Sequence, residues 1–220
     1  MAKLVWDQIG EKIYETGAKN AVLYLIDSEN VYSTGVAWNG LLGFDENPSG
    51  AEATKLWADN INYITMFSAE EYGGTIRAYT YPDEFEECDG SATLATGAVI
   101  GQQSRKPFGF CYRTEIGNDT QGDEYGYKLH LVYGCKASPS SKTHDTINDS
   151  PSAVEFSWEV TCTPVPVTGF KATCVIEVDS TKVDPAKMTA LENELYGSQS
   201  KTAHLPLPDQ VKSILTTGSM

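Results

Sequence analysis

Two polar clusters in the sequence carry side chains that could do chemistry. The acidic run from Asp83 to Asp89 places five carboxylates in seven positions, and two such groups could act as the acid and base of a glycosidase. The run from Asn118 to Glu124 offers the oxygen ligands that calcium prefers, although its spacing differs from an EF-hand loop. Because acids so closely spaced are typical of a solvated cap, both clusters favour surface roles over catalysis.

The histidines and cysteines do not form a recognisable site in the sequence. His130, His144 and His204 are scattered, and no stretch matches a nucleophile elbow, a phosphate-binding loop, a zinc-protease motif or a dinucleotide fingerprint. The five cysteines are odd in number and lack a CxxC pair, so we expect reduced thiols that pack as small core residues. The sequence therefore predicts a protein that is not an enzyme and that uses no metal or cofactor.

Composition and charge narrow the class of protein further. A chain of 220 residues with 40% apolar residues can bury a substantial core. The formal net charge of −14 disfavours specific nucleic-acid binding, which needs lysine and arginine against phosphate. The sequence has no apolar run long enough to cross a membrane, and its first residues lack an apolar signal core. We expect a protein that folds in the cytoplasm and has no membrane partner.

The spacing of apolar residues predicts a mainly β fold with one flanking helix. Alternation is cleanest from Ala153 to Thr161, where Val154, Phe156, Trp158 and Val160 should face inward. Residues 61–67 and 75–81 also alternate, and together they suggest a meander that leads into the acidic cap. The period then changes after Asp184, which should cap a helix that begins at Pro185 and ends at Gly197. These elements indicate a β-sandwich or barrel.

Two long hairpins are predicted, at residues 38–59 and 127–163. In the first, Asn47-Pro48-Ser49-Gly50 is a strong turn signal between two strand-like runs. Each hairpin should have an apolar face and a polar face. The polar faces carry nine residues that we single out: Asp45, Asn47, Glu52, Thr54, Lys128, His130, Glu155, Ser157 and Glu159.

The chain should form a single domain over residues 1–200. We expect an extended N-terminal arm at about residues 1–19 and a long polar loop at about residues 138–152. A C-terminal tail, residues 201–220, follows the domain.

Several long motifs resemble the major tail tube proteins of long-tailed, non-contractile phages that infect Gram-positive bacteria. The motifs occur in a matching order and span most of the chain. They are SGAEATKLWADNINY at 49–63, SAEEYGGTIRAYTYPDEFEECDGS at 68–91, IGQQSRKPFGFCYRT at 100–114, NDSPSAVEFSWEVTCTPVPVTGFK at 148–171 and DSTKVDPAKMTALENELYG at 179–197.

The resemblance implies a fold and a structural role. Members of this family are β-sandwich subunits that form hexameric rings, in which four strands per subunit close a 24-stranded barrel. The rings stack into a tube within the virion tail, assembled in the host cytoplasm. The tube first houses the tape measure protein and later conducts double-stranded DNA, without specific binding, during genome ejection. Tail terminator and baseplate or tail tip proteins would bind its two ends.

Physical estimates agree with these expectations. A 24-stranded barrel would leave a bore of roughly 35–40 Å, wider than a DNA duplex of about 20 Å. Six protomers at −14 each would carry −84 per ring, so DNA would slide rather than bind. We expect the nine polar residues above to line this bore, and we expect the N-terminal arm and the 138–152 loop to contact the neighbouring ring.

Two other classes of function stay open from the residues alone. A soluble, monomeric β-sandwich binding module, for example a carbohydrate-binding or adhesin-like domain, would expose aromatic side chains on one sheet face. An enzyme is the weakest alternative because no converging set of catalytic residues is visible.

Overall fold

The computed structural model describes residues 3–29, 31–144, 146 and 153–217 of the chain. Strands dominate these residues, so the mainly β prediction is confirmed. The strands are β1 (Ile13–Ile26), β2 (Tyr32–Trp38), β3 (Leu41–Glu46), β4 (Ser49–Gly50), β5 (Ala53–Ala58), β6 (Ile61–Phe67), β7 (Glu70–Glu71), β8 (Gly73–Ala78), β9 (Ala92–Ala95), β10 (Ala98–Ile100), β11 (Phe108–Asn118), β12 (Gly122–Ala137), β13 (Phe156–Cys162) and β14 (Val175–Asp179). The helices are α1 (Glu86–Asp89), α2 (Pro185–Tyr196) and α3 (Pro208–Thr217), and a 3-10 turn spans Asp83–Phe85.

One large antiparallel sheet of eight strands organises the described part of the chain. Seven strands follow the order β2-β1-β11-β12-β13-β8-β3, and β14 pairs with β12 beside them. Because β1 also contacts β3, the sheet curls toward a barrel. Three small two-stranded pairs, β4 with β7, β5 with β6 and β9 with β10, stand outside the large sheet.

Both faces of the large sheet bury apolar side chains. The concave face encloses an aromatic cluster in which the ring of Trp158 lies 5.6 Å from Trp38 and 5.2 Å from Phe85, between ring centroids. On strand β13, Trp158 and Val160 are buried and Glu159 is exposed, as the alternation of that segment predicts. Burial of this many aromatic atoms supplies a large share of the folding free energy.

Helices α2 and α3 cover part of the opposite face. Leu191 and Leu195 of α2 and Ile214 of α3 pack in one buried cluster with Leu131 and Tyr133 of β12. The helix predicted after Asp184 is therefore confirmed, and a second helix packs beside it.

The first turn of α2 is stabilised by its capping residue. The Asp184 carboxylate accepts a hydrogen bond of 2.9 Å from the backbone N–H of Ala186, and Pro185 occupies the first helical position. Gly197 ends the helix with a φ of 80°.

We expect Asp184→Ala to lower the free energy of unfolding by about 1 kcal/mol, because it leaves the N–H of Ala186 without its acceptor. Urea denaturation measures this change. Asp184→Asn, whose side-chain oxygen can accept the same hydrogen bond, serves as the control and should stay close to the wild type. Equal losses in both variants would contradict a capping role.

The predicted hairpin at residues 38–59 and the predicted meander at 61–81 are both wrong in their strand pairing. Strand β3 pairs with β8, and β5 pairs with β6. The chain therefore runs outward along β3, β4 and β5, reverses at Asp59 and Asn60, and returns along β6, β7 and β8. Asp59 and Asn60 have φ values of 50° and 61°, which a tight two-residue hairpin turn of type I′ requires.

The Asn47-Pro48-Ser49-Gly50 signal marks a bend within this long hairpin. Gly50 has a φ of 80°, and a Cβ on it would lie 2.2 Å from the carbonyl oxygen of Ala69 on the returning strand. The glycine thus permits a close approach of the two strands, whose pairing continues as Ser49 with Glu71 and Gly50 with Glu70.

The strand pairing predicted for the second hairpin, residues 127–163, is confirmed only in part. Strand β12 pairs with β13 from Cys135 to Ala137, and its earlier residues pair with β14 instead. Gly134 lies between the two partners with a φ of 61° and approaches the carbonyl oxygen of Thr163 too closely for any side chain. Of the predicted loop at 138–152, residues 145 and 147–152 lie outside the described residues.

The two ends of the chain also differ from expectation. Residues 13–19 belong to β1, so the unpaired N-terminal stretch is shorter than the arm predicted at 1–19, of which residues 1 and 2 lie outside the described part. Residues 201–217 are not a separate tail, because Leu205 and α3 pack into the core.

The cysteines lie in or beside the two cores. Cys88, Cys111, Cys135 and Cys174 are buried, and Cys162 is half-buried. Burial raises the pKa of the Cys111 thiol to about 12, so this group stays protonated and unreactive. None of the helices in the described residues is long and apolar enough to cross a membrane.

Candidate functional site

The outer half of the long hairpin exposes apolar side chains to solvent. We call this outer half, residues 49–71, the projecting hairpin. Trp57 is 66% exposed and Phe67 is 70% exposed. The other large apolar residues exposed here are Leu56, Ile61, Tyr63, Ile64 and Met66.

Both faces of the projecting hairpin are apolar. Leu56 lies opposite Ile64 on one face, and the pair of Ala53 with Phe67, three residues along each strand, points to the other face. A two-stranded hairpin is at best marginally stable by itself in water, and an apolar patch of this kind marks a surface for association. The projecting hairpin is therefore suited to insertion between other protein surfaces.

The stretch before β1 has a similar character. Leu4, Trp6 and Ile9 are largely exposed. This stretch is anchored on the β11–β12 turn, because the N–H of Gly10 donates to Asp119 at 2.9 Å. Two exposed apolar segments thus extend from one sheet.

Strand β3 offers a third means of association. It is the last strand in the order of the large sheet, where it pairs with β8 and, among the described residues, with no second strand. The free N–H and C=O groups of such an edge can pair with a strand of another subunit.

The outer face of β3, β8 and β13 is polar. Asp45, Thr75 and Glu159 form one row across the three strands. Arg77 lies in the next row and donates two hydrogen bonds to Asp45, at 2.7 and 3.1 Å, which raise the pKa of its guanidinium group. Ser157 lies opposite Arg77 on β13.

The structure divides the nine polar residues of the two predicted hairpins. Asp45, Ser157 and Glu159 share this outer polar face, and Glu155 lies close enough to influence Arg77. Asn47, Glu52 and Thr54 lie farther along the outgoing side of the long hairpin, where all three are exposed.

Lys128 and His130 lie on the other face of the sheet. His130 stacks on Tyr112, a member of the concave aromatic core, at 4.4 Å between ring centroids. The nine polar residues therefore do not share one surface, because the register of β12 directs the side chains of Lys128 and His130 to the concave side.

Lys128 and His130 belong instead to a cluster of charged groups that the sequence pattern did not reveal. Glu15 of β1, Glu46 of β3 and Glu177 of β14 surround them. Burial acts to raise the pKa of Glu15, but hydrogen bonds from Lys128 and Thr114 outweigh it and hold the pKa below its usual value. Because the members come from four distant strands, their spacing in the chain carries no signal.

Three members of the two polar clusters considered first for chemistry have structural roles. Asp89 of the acidic run is buried and accepts hydrogen bonds from Trp158 and Lys142. Asn118 closes the β11–β12 turn by accepting hydrogen bonds from the backbone N–H groups of Thr120 and Gln121, and Asp123 accepts one from Tyr14. These side chains are occupied by protein partners.

No family model matches the sequence, and no curated protein matches it. Among solved structures, the chain is similar to one in the sheath–tube complex of an extracellular contractile injection system (PVC), with a TM-score of 0.33, 12% identity, and coverage of 73% of this chain and 88% of that chain. It is also similar to a chain of the anti-feeding prophage (AFP) baseplate, with a TM-score of 0.37, 8% identity, and coverage of 82% and 100%. These scores are too low to establish a common fold.

Proposed function

We propose that the protein is the structural subunit of a phage tail tube, with no enzymatic activity. The observation that carries this proposal is the projecting hairpin, whose two apolar faces are exposed in the single chain. The motif resemblance to tail tube proteins of non-contractile phages points to the same role. Hexameric rings would stack into a hollow tube that holds the tape measure protein and then conducts DNA.

The arrangement of strands suggests how the subunits would meet. The end of β12 together with β13, β8 and β3 supplies four strands in sequence, and β3, which lies beside β1 without pairing with it, has backbone groups that could pair with a neighbouring subunit. The projecting hairpin would then lie between subunits or rings, where neighbouring chains cover its two faces. This burial would supply the apolar contact area that a stable assembly needs.

The polar outer face of these strands is the part of the sheet that we assign to the bore. Asp45, Glu155, Ser157 and Glu159 would line it, and Arg77 would be neutralised locally by Asp45. Carboxylates along the bore repel phosphate, so DNA would pass without adhering. A helical reconstruction of the tube tests the assignment, which is overturned if this face lies on the outside of the tube.

Negative-stain electron microscopy of the purified protein, beside sizing chromatography, tests the function itself. We expect rings or hollow tubes with a bore of about 40 Å, formed by the protein alone or after addition of tail tip complexes. A protein that stays monomeric even with these initiators would contradict the proposal.

Removing residues 1–10 should leave folded protomers that do not form long tubes, because the exposed Leu4, Trp6 and Ile9 are lost. Tube length distributions by electron microscopy measure the effect, and the thermal unfolding curve checks the fold. The matched control replaces Lys3 and Asp7, two polar residues of the same stretch, with serine. Tubes of normal length from the truncated protein would exclude a stacking role for this segment.

Exposed aromatic side chains also support a second candidate function, that of a carbohydrate-binding module. Trp57 and Tyr63 on the projecting hairpin have the large flat surfaces that stack on sugar rings. Glycan binding by a protein that remains monomeric would favour this alternative over the tube.

A further inference from the structure

A cleft of about 420 Å³ near the base of the long hairpin is lined mainly by residues 42–46 of β3 and residues 15–18 of β1, together with Tyr112, Thr114 and His130. Glu46 of β3 and His130 of β12 line it, and Glu177 of β14 lies directly opposite His130 in the sheet. One possible ligand atom from each of these three residues lies within 4.8 Å of the others. The three strands are far apart in the chain, and the fold alone brings these groups together.

The hydrogen bonds around His130 determine which ring nitrogen carries the proton. The Thr114 hydroxyl donates its hydrogen to Glu15 at 2.6 Å, so its oxygen is left to accept from the His130 ring. Nε2 of His130, 2.9 Å from that oxygen, is therefore the N–H donor. Nδ1 of the neutral ring then carries a free lone pair.

Acidic groups lie close to Nδ1. His130 is 5% exposed, and its Nδ1 has no hydrogen-bond partner among the described residues. Oε1 of Glu46 lies 4.0 Å from Nδ1. A buried acceptor that faces carboxylates is unfavourable unless a cation lies between them.

The surrounding charges also leave room for a divalent cation. Glu15, Glu46 and Glu177 face one ammonium group, that of Lys128, which lies 2.6 Å from Glu15 and 3.7 Å from Glu177. Because the Lys128 ammonium group contacts Glu15 most closely, the charges of two carboxylates, Glu46 and Glu177, remain beside Nδ1.

We propose that Glu46, Nδ1 of His130 and Glu177 bind one divalent transition-metal ion, with zinc as the best match. One imidazole and two carboxylates suit zinc, which bonds such ligands at about 2.0–2.2 Å, whereas calcium and magnesium prefer all-oxygen sets. The two glutamates are partly exposed and can close onto the ion by small side-chain movements. Tyr112 stacks on the His130 ring and donates to Glu46 at 2.9 Å, which fixes two of the three ligands.

The ion would cross-link strands of the large sheet that are not neighbours, because β3 pairs with neither β12 nor β14. Glu46 is the last residue of β3, immediately before the projecting hairpin, whereas His130 and Glu177 lie on two strands paired in the body of the sheet. A bound metal would therefore link the base of this hairpin to two strands with which β3 does not pair. This inference concerns the fold of the single chain and does not depend on the proposed function.

The test uses the full-length protein after treatment with a chelator, titrated with Co²⁺ and then Zn²⁺. We expect one equivalent of cobalt, with a visible spectrum of nitrogen and oxygen ligation, displaced by zinc, and a higher unfolding temperature with zinc. His130→Gln and Glu177→Gln should weaken binding by about 100-fold or more, since even residues that support metal ligands contribute about 10–100-fold. Glu159→Gln, an exposed carboxylate elsewhere on the sheet, is the matched control and should bind normally.

Three outcomes would overturn the proposal. The first is a wild-type protein that binds neither cobalt nor zinc. The second is binding with a thiolate charge-transfer band, which would place the ion on the cysteines. The third is binding unchanged in Glu177→Gln, a variant at an exposed position that should fold even if His130→Gln does not.

Discussion

Excision of the projecting hairpin should abolish tube formation and leave the folded sheet intact. The variant replaces residues 51–69 with Asn-Gly, a two-residue turn that joins Gly50 to Glu70. These two residues already face each other in the β4–β7 pair, so the new turn closes an existing register. Electron microscopy should show no tubes at concentrations where the wild type assembles.

The excision should affect assembly far more than stability, because the hairpin makes no contribution to the buried core. All of its large apolar side chains are exposed or half-exposed in the single chain, so the free energy of unfolding should change by no more than about 0.5 kcal/mol. In an assembly, each buried aromatic anchor is worth about 2 kcal/mol or more. The critical concentration should therefore rise by at least about 100-fold.

Single substitutions separate the apolar contact from the presence of the hairpin. Phe67→Ser should raise the critical concentration, whereas Phe170→Ser should not. The two phenylalanines are equally exposed, at 70% and 71%, but Phe170 lies outside the hairpin, beside Lys212. If the Phe67 variant and the excised variant both formed tubes as well as the wild type does, this hairpin would not be an assembly element.

Trp158→Ala should produce the largest loss of stability of any single substitution proposed for this protein, about 3–5 kcal/mol. Trp158 is 1% exposed and its ring contacts those of Trp38, Tyr81, Phe85 and Phe156. Truncation leaves a cavity in the centre of the concave core that the surrounding rings cannot fill. Urea denaturation measures the loss directly, and the unfolding temperature should fall by about 10 °C.

The matched control for this substitution is Trp57→Ala. Trp57 is the same residue type at 66% exposure on the projecting hairpin, so its removal should change the stability of the single chain by less than about 0.5 kcal/mol. Trp158→Phe should cost an intermediate amount, because it retains most of the ring packing but removes the indole N–H that donates to Asp89. Equal stability losses at Trp57 and Trp158 would contradict the assignment of the core.

The structural features that sequence reasoning predicted correctly depend on neighbours in the chain. The alternation around Trp158 predicts which side chains of β13 are buried, because successive residues of a strand point to opposite faces. Asp184, Pro185 and Gly197 mark the ends of α2 because capping satisfies backbone groups within a single turn. These signals operate over a few residues and can be recognised without knowledge of the rest of the fold.

The pairing of the strands was not predictable in the same way. The turn signal at Asn47 to Gly50 is strong, yet the chain continues outward there because β3 finds its partner in β8, about 30 residues later. The reversal occurs instead at Asp59 and Asn60. A local preference for a turn is worth about 1 kcal/mol or less, and the burial of Ile76 and Phe44 against the aromatic core outweighs it.

The sequence by itself determined a mainly β chain with a capped helix, an acidic surface and a set of motifs that resemble tail tube proteins. Only the tertiary structure decided that Asp45 and Glu159 share a surface while Lys128 and His130 lie on the opposite face beside Glu46 and Glu177. The reason is physical: the type and period of residues encode which side chains are buried within one element. Which elements meet depends on the sum of many weak contacts between distant segments, which no short stretch of sequence contains.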